Sequence, residues 1–288
     1  MKFSAIIILF YPERPILLNN IRLLENNGWQ VVVVDNSPQS HKSWLSSSVE
    51  FRHCPENAGI AHAQNIGLLL ARQQGRDYAM LLDQDSHLTE HLLQTAKQRV
   101  IEAQSRYPDL AAYGPTIVSE FDGQVVRAKV QRAVPDEHGF LHSRQIIASG
   151  KIIPLAVLSD VGLMEDALFI DGVDHEWCWR ASRKGFRIIS DTQVLLRHKQ
   201  GESRKRVLGM TFKVGSPVRL YYQYRNILIL LRRSYVPLYW KVRNCVALPV
   251  RWVINGWCLE QSKERRRYMR QGLTDGLRKR AGRYRADQ

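Results

Sequence analysis

The chain has 288 residues, 44% apolar and 24% charged, with 18 Gly and 11 Pro. That composition excludes a collagen-like, low-complexity or wholly disordered chain, and suits one large α/β domain with or without a helical appendage. Charge is the anomaly: 42 Lys and Arg against 27 Asp and Glu give +15. The excess is confined to the end of the chain, since residues 197–288 hold 23 basic and 5 acidic side chains while the first 196 residues hold 19 and 22. A slightly acidic domain followed by a strongly basic segment implies two different partners. Cys54, Cys178, Cys245 and Cys258 form no C-x-x-C pair, which points to reduced thiols in the cytoplasm rather than a disulfide framework.

The opening MKFSAIIILFYPERP is apolar only as far as Pro12, Glu13 and Arg14, so it reads as a buried strand and not as a signal peptide. No run of about 18 uncharged apolar residues follows anywhere, and no transmembrane helix is expected. Ser4 to Phe10 is a β-branched run suited to a central parallel strand. Pro15 to Asn27 carries Ile16, Leu17, Ile21 and Leu24 at helical spacing and stops at Gly28. Val31 to Val34 is a second buried strand ending at Asp35, and Phe51 to Cys54 a short third. Ala58 to Gln74 is a helix closed by Gly75, and Tyr78 to Leu82 a strand ending at Asp83. Strand and helix alternating at this spacing predict right-handed βαβ units and a mostly parallel sheet with flanking helices, with ligands at its carboxyl edge. Further on, Leu88 to Ser105 reads as a helix, Leu110 to Val118 and Gln145 to Pro154 contain strands, and Ser119 to Arg144 has no readable pattern. A helix from about Asp174 to Arg183 precedes strands at Phe186 to Ile189 and Val194 to Leu196.

From about Ser216 the texture changes, and the chain is expected to divide into domains at 1–215 and 216–288. Long apolar faces interleaved with Arg, with Trp240, Trp252 and Trp257 among them, suit amphipathic helices lying on an anionic membrane. Removal of residues from about 236 onward is expected to release the protein from that surface. The final basic run LRKRAGRYR, with Tyr284, reads as frayed.

Five stretches could carry chemistry. Asp83-Gln84-Asp85-Ser86 follows a buried strand, and two carboxylates at a strand end can hold a divalent cation, Mg²⁺ or Mn²⁺, against a diphosphate, although a solvated acidic turn has the same spelling. Asp35 could accept a hydrogen bond from a base or a ribose hydroxyl, or merely stabilise the turn Asn36-Ser37-Pro38. In Glu56 to Gly67 the small residues at 58, 59, 61 and 63 would let a helix N-terminus approach an anion, which makes Asn57, Gly59 and Asn65 donor-binding candidates; tight helix packing is the alternative. In FIDGVDHEWCWR, Asp174 could face a cleft as general base with Glu176 orienting it, or both could be first-turn acids on a helix dipole. His198, just past a strand, could complete a metal shell or contact a phosphate, or be a surface histidine with no role.

In order, AIIILFYP, VVVVDNS, ENAGIAHAQNIG, LLDQDS, SGKIIP, FIDGVDHEWCWR and RHKQGES resemble the family 2 glycosyltransferases, most of all their bacterial rhamnosyltransferase branch, over roughly residues 3 to 226. The resemblance implies a GT-A fold, a nucleotide-sugar donor, a divalent metal and inversion at the anomeric carbon. It implies Asp35 at the nucleotide base, Asp83 at the ribose or base, Asp85 as metal ligand and His198 as a further candidate ligand. It also implies Ser149 and Gly150 in the sugar or acceptor pocket, where Glu176, Trp177 and Arg180 are placed as well, and Asp174 as catalytic base. Rhamnose from dTDP-rhamnose is the first donor implied, with UDP-glucose, UDP-galactose and UDP-GlcNAc open. The acceptor would be a lipid-linked or lipopolysaccharide saccharide at the inner face of the cytoplasmic membrane, in surface-polysaccharide synthesis. A nucleic-acid partner is not expected, because the basic segment lacks any helix-turn-helix, zinc-finger or RNP pattern. A non-catalytic scaffold would not need the acidic set.

Overall fold

A computed structural model describes residues 1–121, 123–126, 133–198, 203–207 and 210–285, the strands within 203–214 by their backbone. Four strands, β1 (Phe3–Leu9), β2 (Gln30–Asp35), β3 (Glu50–His53) and β4 (Tyr78–Asp83), are mutually parallel and linked by α1 (Arg14–Asn26) and α2 (Ile60–Gln73). Every residue of β1 is buried because both faces of the sheet are covered. Alternation along the strand divides the core. Ile6 and Ile8 meet Ala61, Ala63, Leu68 and Ala71 of α2. Ile7 and Leu9 meet Leu17, Ile21 and Leu24 of α1 and Leu93, Ala96 and Val100 of α3 (Glu90–Arg106). Gly67 is required in α2, since a Cβ there would lie 2.3 Å from Ile6 Cγ2.

The sheet has eight strands in the order β3-β2-β1-β4-β7-β5-β8-β6, with β5 spanning Leu110–Ser119, β6 Phe140–His142, β7 Lys151–Pro154 and β8 Arg187–His198. Six of its strands share one direction, as expected of a mostly parallel sheet, and two are reversed: β7 runs antiparallel to both β4 and β5, and β6 antiparallel to β8. Strands expected at 186–189 and 194–196 are one strand, whose register against β5 shifts between Pro115 and Thr116. The reversal of β7 matters for the site. Because β4, β5 and β8 share a direction, Asp83 and His198 emerge at one edge, and the reversed β7 starts there with Ser149, Gly150 and Lys151. Within 119–144, Val118 bridges Val125 and β6 forms the sheet's outer edge; of the motif RHKQGES, residues 199–202 lie outside the described residues.

A four-residue helix, α4 (Leu158–Val161), precedes α5 (Val173–Arg183), and a hairpin of β9 (Ser203–Val207) and β10 (Met210–Val214) leads into α6 (Pro217–Leu231), α7 (Leu238–Val253) and α8 (Ser262–Leu277). The expected division at residue 215 is not a boundary in packing: Ile227, Leu230, Val236 and Trp240 belong to the same core as Ile6 and Val34. α6 is therefore not an interfacial helix, and a cut at 236 would open the core. Arg225 of α6 is fully buried and, among the described residues, has no carboxylate partner; the carbonyls of Ala167, Leu168 and Gly282 and the ring faces of Tyr221 and Tyr222 receive its charge. Nor is the basic run ending at Arg285 frayed. Tyr284 packs on Tyr221 with ring centroids 4.7 Å apart and hydrogen-bonds Gln271, while Arg283 pairs with Glu56 at 3.1 Å. Among the described residues no helix is long and apolar enough to cross a membrane.

Candidate active site

Asp83 ends β4 with its carboxylate beside four chemically relevant neighbours. Ser149 donates its hydroxyl to Oδ2, His198 Nε2 stands 3.9 Å from the same oxygen, and the charges of Asp85 and Asp174 both reach it. Burial pushes the Asp83 carboxyl above its ordinary value and Asp85 and Asp174 push it further, while the Ser149 bond and His198 only partly offset them. Asp85, two residues on, is exposed. Gln84 between them exchanges two hydrogen bonds with the backbone of Phe10, at 2.7 and 3.0 Å, which locks the acidic turn to the exit of β1.

Asp174 lies in the first turn of α5, where the helix dipole favours an anion. Its Oδ1 accepts the His175 N–H at 3.0 Å. Burial acts to raise its carboxyl, but His175, Lys151 and the backbone N–H groups outweigh it and hold the group below the usual aspartate value. Lys151 is completely buried at the start of β7, its Nζ 3.3 Å from the Asp174 carbonyl and 5.9 Å from the Trp177 ring centroid. The sequence reading missed it, although a lone Lys ahead of the apolar run Ile152-Ile153-Pro154 is itself a signal that something inside needs a cation.

The loop before α5 is held from the C-terminal region. Phe169, Asp171 and Gly172 all have positive φ, at 63°, 66° and 91°. Asn226 of α6 uses its amide to bond the carbonyls of Leu168, Ile170 and Asp171 at 2.9, 2.7 and 2.8 Å, and Arg219 pairs with the Asp171 carboxylate at 2.9 Å. Left-handed residues other than glycine persist only where surroundings over-determine them, and here α6 supplies the determinants.

Several expected contacts are corrected by where these side chains go. Asp35 is fully buried, and its carboxylate accepts the Ser37 and His41 N–H groups at 3.0 and 2.9 Å and the His41 ring nitrogen at 2.9 Å. It shapes the loop after β2 instead of offering itself to a base; burial opposes its ionisation, and those bonds overcome it and leave the carboxyl lowered. The N-terminus of α2 is not free for an anion either. Phe169 O takes the Ile60 and Ala61 N–H groups at 2.8 and 3.4 Å, Asn57 accepts from Gly59 at 3.1 Å, and a Cβ at Gly59 would strike the Phe169 ring at 2.6 Å. Asn65 is buried and bonds Met164 in both directions and Asp166 at 2.6 Å, fastening α2 to the 163–166 loop.

Glu176, Trp177 and Arg180 likewise belong to the scaffold and not to a sugar pocket. Glu176 is bound by Arg180 at 2.8 Å and by the Tyr235 hydroxyl at 2.6 Å, so it is not available to orient Asp174. Trp177 is fully buried with its N–H on Gly162 O, and Arg180 also binds the carbonyls of Val161 and Leu163. Gly150, at φ 78°, is needed because a Cβ would meet Pro115 at 2.8 Å; Ser149 alone of that pair touches the acidic cluster. Asp83, Asp85, Asp174, Ser149 and His198 thus come together, with Lys151 added.

A divalent cation fits this donor set. Asp83, Asp85 and Asp174 present carboxylate oxygens to one region, and the Asp83 carboxyl, raised first by burial and then by the charges of Asp85 and Asp174, is one that a cation would ionise. Among the described residues no three His, Cys, Asp or Glu side chains already form a metal cage, but an ion sharing its shell with a diphosphate and waters needs only one or two protein ligands.

The mixed sheet with its flanking helices has the GT-A architecture, and residues 5–147 match the family Glycosyl transferase family 2. The chain is a family 2 glycosyltransferase that uses a nucleotide-sugar donor. It is 29% identical over 252 residues, covering 84% of both chains, to the dTDP-rhamnosyl transferase RfbF of Shigella flexneri. Among solved structures, S. aureus TarS 1–349 in complex with UDP-GlcNAc superposes with a TM-score of 0.58 at 16% identity, over 97% of this chain and 82% of that one. GalNAc-T7 with UDP, GalNAc and Mn²⁺ gives 0.58 at 14% identity over 96% of this chain, which spans only 56% of GalNAc-T7. At such identities these two structures share the fold.

Proposed function

We propose that the protein transfers rhamnose from dTDP-rhamnose, with inversion, to a hydroxyl of a saccharide acceptor presented at an anionic membrane. The observation that carries the reaction is the convergence of Asp83, Asp85 and His198 with Asp174, whose carboxyl is held low enough to be ionised at neutral pH. The similarity to RfbF supports the donor.

Asp174 takes the proton of the acceptor hydroxyl as its oxygen bonds the anomeric carbon and the bond from that carbon to the diphosphate oxygen breaks. His175 and Lys151 lower the Asp174 carboxyl, and Asp83, steadied by Ser149, contacts the nucleotide's ribose. Phe10 and Tyr11, exposed at the end of β1 with ring centroids 4.6 Å apart, offer the base a face to stack on. A divalent cation, Mg²⁺ or Mn²⁺, would be held by Asp85 and His198 and, when bound, neutralises charge on the departing diphosphate.

Membrane attachment rests on α7. Leu238, Val242, Val246, Val250 and Val253, with Trp257 just beyond, recur every three or four residues and are 50% to 73% exposed. Lys263, Arg266, Arg267 and Arg270 crowd one stretch of α8 nearby in sequence. An apolar stripe with cations beside it binds anionic lipid, at about 1 kcal/mol for each basic residue near the surface.

Thermal shift with dTDP-rhamnose, UDP-glucose, UDP-galactose and UDP-GlcNAc, each with and without Mn²⁺, tests the donor, since a ligand of the native state raises its melting temperature. The largest shift is expected from dTDP-rhamnose with Mn²⁺. A larger shift from a UDP-sugar would move the assignment to that donor.

A further inference from the structure

Behind the exposed stripe, α7 has a second face. Trp240, Asn244 and Arg251 line a cavity of about 470 Å³ whose other walls come from α6, from Asn255 in the π-helical turn 254–258, and from Asp171, Gly172 and His175 at the start of α5. The cavity therefore opens one residue away from Asp174 on one side and backs onto the proposed lipid-facing helix on the other. Its charge is unbalanced. Asp171, the one acidic residue in its lining among the described residues, is already bound by Arg219. Arg265 is engaged with the carbonyls of Glu260 and Gly215 and with Asn255. Among the described residues the Arg251 guanidinium has no hydrogen-bond or ion-pair partner, although the residue's carbonyl accepts from Asn255, and burial and the like charge of Arg243 both oppose its charge. A guanidinium kept in a partly buried cavity beside another cation, with its five donors unused, is matched to an oxyanion that binds through two oxygens.

We propose that this cavity is the anion subsite of the acceptor: Arg251 receives the phosphoryl group that joins the acceptor saccharide to its membrane anchor, and this sets which hydroxyl reaches Asp174. The assignment rests on the transferase reading above and adds a chemical class to its acceptor. The phosphoryl group could also belong to an ordinary phospholipid headgroup, and the two sources are separable by experiment.

The test uses the full chain with saturating dTDP and Mg²⁺, so that the donor site is filled, and measures binding of farnesyl diphosphate, farnesol and inorganic pyrophosphate by calorimetry. Wild-type protein is expected to bind farnesyl diphosphate, and pyrophosphate more weakly, but not farnesol. Arg251→Gln should weaken both at least tenfold, with dTDP affinity and binding to phosphatidylglycerol vesicles unchanged. Arg251→Lys, which keeps the charge and loses the planar fork, should weaken them less, and it provides the readout should the Gln variant not fold. Equal binding by wild type and both variants, displacement of farnesyl diphosphate by dTDP, or a parallel loss of vesicle binding would each overturn the subsite. Failure of wild-type protein to bind dTDP would instead sink the donor assignment, a separate reading in the same instrument.

Discussion

Replacing Lys151 with Met keeps the length of the side chain and removes its charge, in a position with no solvent to compensate. The Nζ lies 3.3 Å from the Asp174 carbonyl, and its charge lowers the Asp174 carboxyl. At a separation on the order of 5 Å and an effective dielectric of about 20, the interaction is worth about 3 kcal/mol, or about two pKa units at 1.36 kcal/mol each. Asp174 is partly exposed, and screening there leaves roughly one unit. The sign is fixed: the base must be ionised, so activity falls as pH drops through its pKa, and loss of the cation raises that pKa. The acidic limb of kcat/KM in Lys151→Met should therefore move to higher pH by about one unit, measured by sugar transfer from about pH 2.5 to about pH 7, a window that reaches below the ordinary aspartate value. Folding is checked by circular dichroism and donor binding by calorimetry at pH 7. A folded, donor-binding variant with an unmoved acidic limb would refute the coupling of Lys151 to Asp174.

Three further outcomes are expected. Asp174→Asn should abolish transfer while leaving donor affinity within about twofold; a rate above about a tenth of wild type, less than ~1.4 kcal/mol of lost catalysis, would remove Asp174 from the role of base. Asn226→Leu takes the side-chain donor from the part-buried carbonyls of Ile170 and Asp171, while Leu168 keeps its bond from Arg225, and should cost about 2 kcal/mol. A calorimetric melting point lowered by under about 2 °C would show that Asn226 does not hold the loop. Val246→Glu with Trp257→Glu should release the protein from phosphatidylglycerol vesicles in a flotation assay while its melting point stays within about a degree, because each exposed apolar side chain contributes about 1.5–3 kcal/mol only when lipid buries it; undiminished flotation would discard α7 as the contact.

The four parallel strands were legible because burial on both faces spells itself as unbroken runs such as Ala5 to Leu9 and Val31 to Val34. Chain direction then carried Asp83 and Asp85 to the carboxyl edge, and Asp174 and His198 followed from their own motifs. The orientation of β7 was not legible, since four residues contain no signal for which neighbour they pair with. Asp35, Asn65 and Glu176 read as ligand contacts because a polar group that satisfies a loop and one that awaits a substrate look alike in sequence; only the partners at His41, Met164 and Tyr235 separate them. The burial of α6 was hidden for a related reason. Arg225 reads as a surface cation until distant carbonyls at 167, 168 and 282 are seen to enclose it.

That enclosure sets an order of events on the ribosome. The catalytic loop leaves the exit tunnel well before Asn226, and Gly282 follows more than a hundred residues behind Leu168. At about 5–20 residues per second, the left-handed loop lacks its last clamp for on the order of ten seconds of synthesis. A nascent chain can thus complete its sheet, acidic turn included, while the loop that leads into Asp174 still lacks Asn226 and Arg225 to hold it.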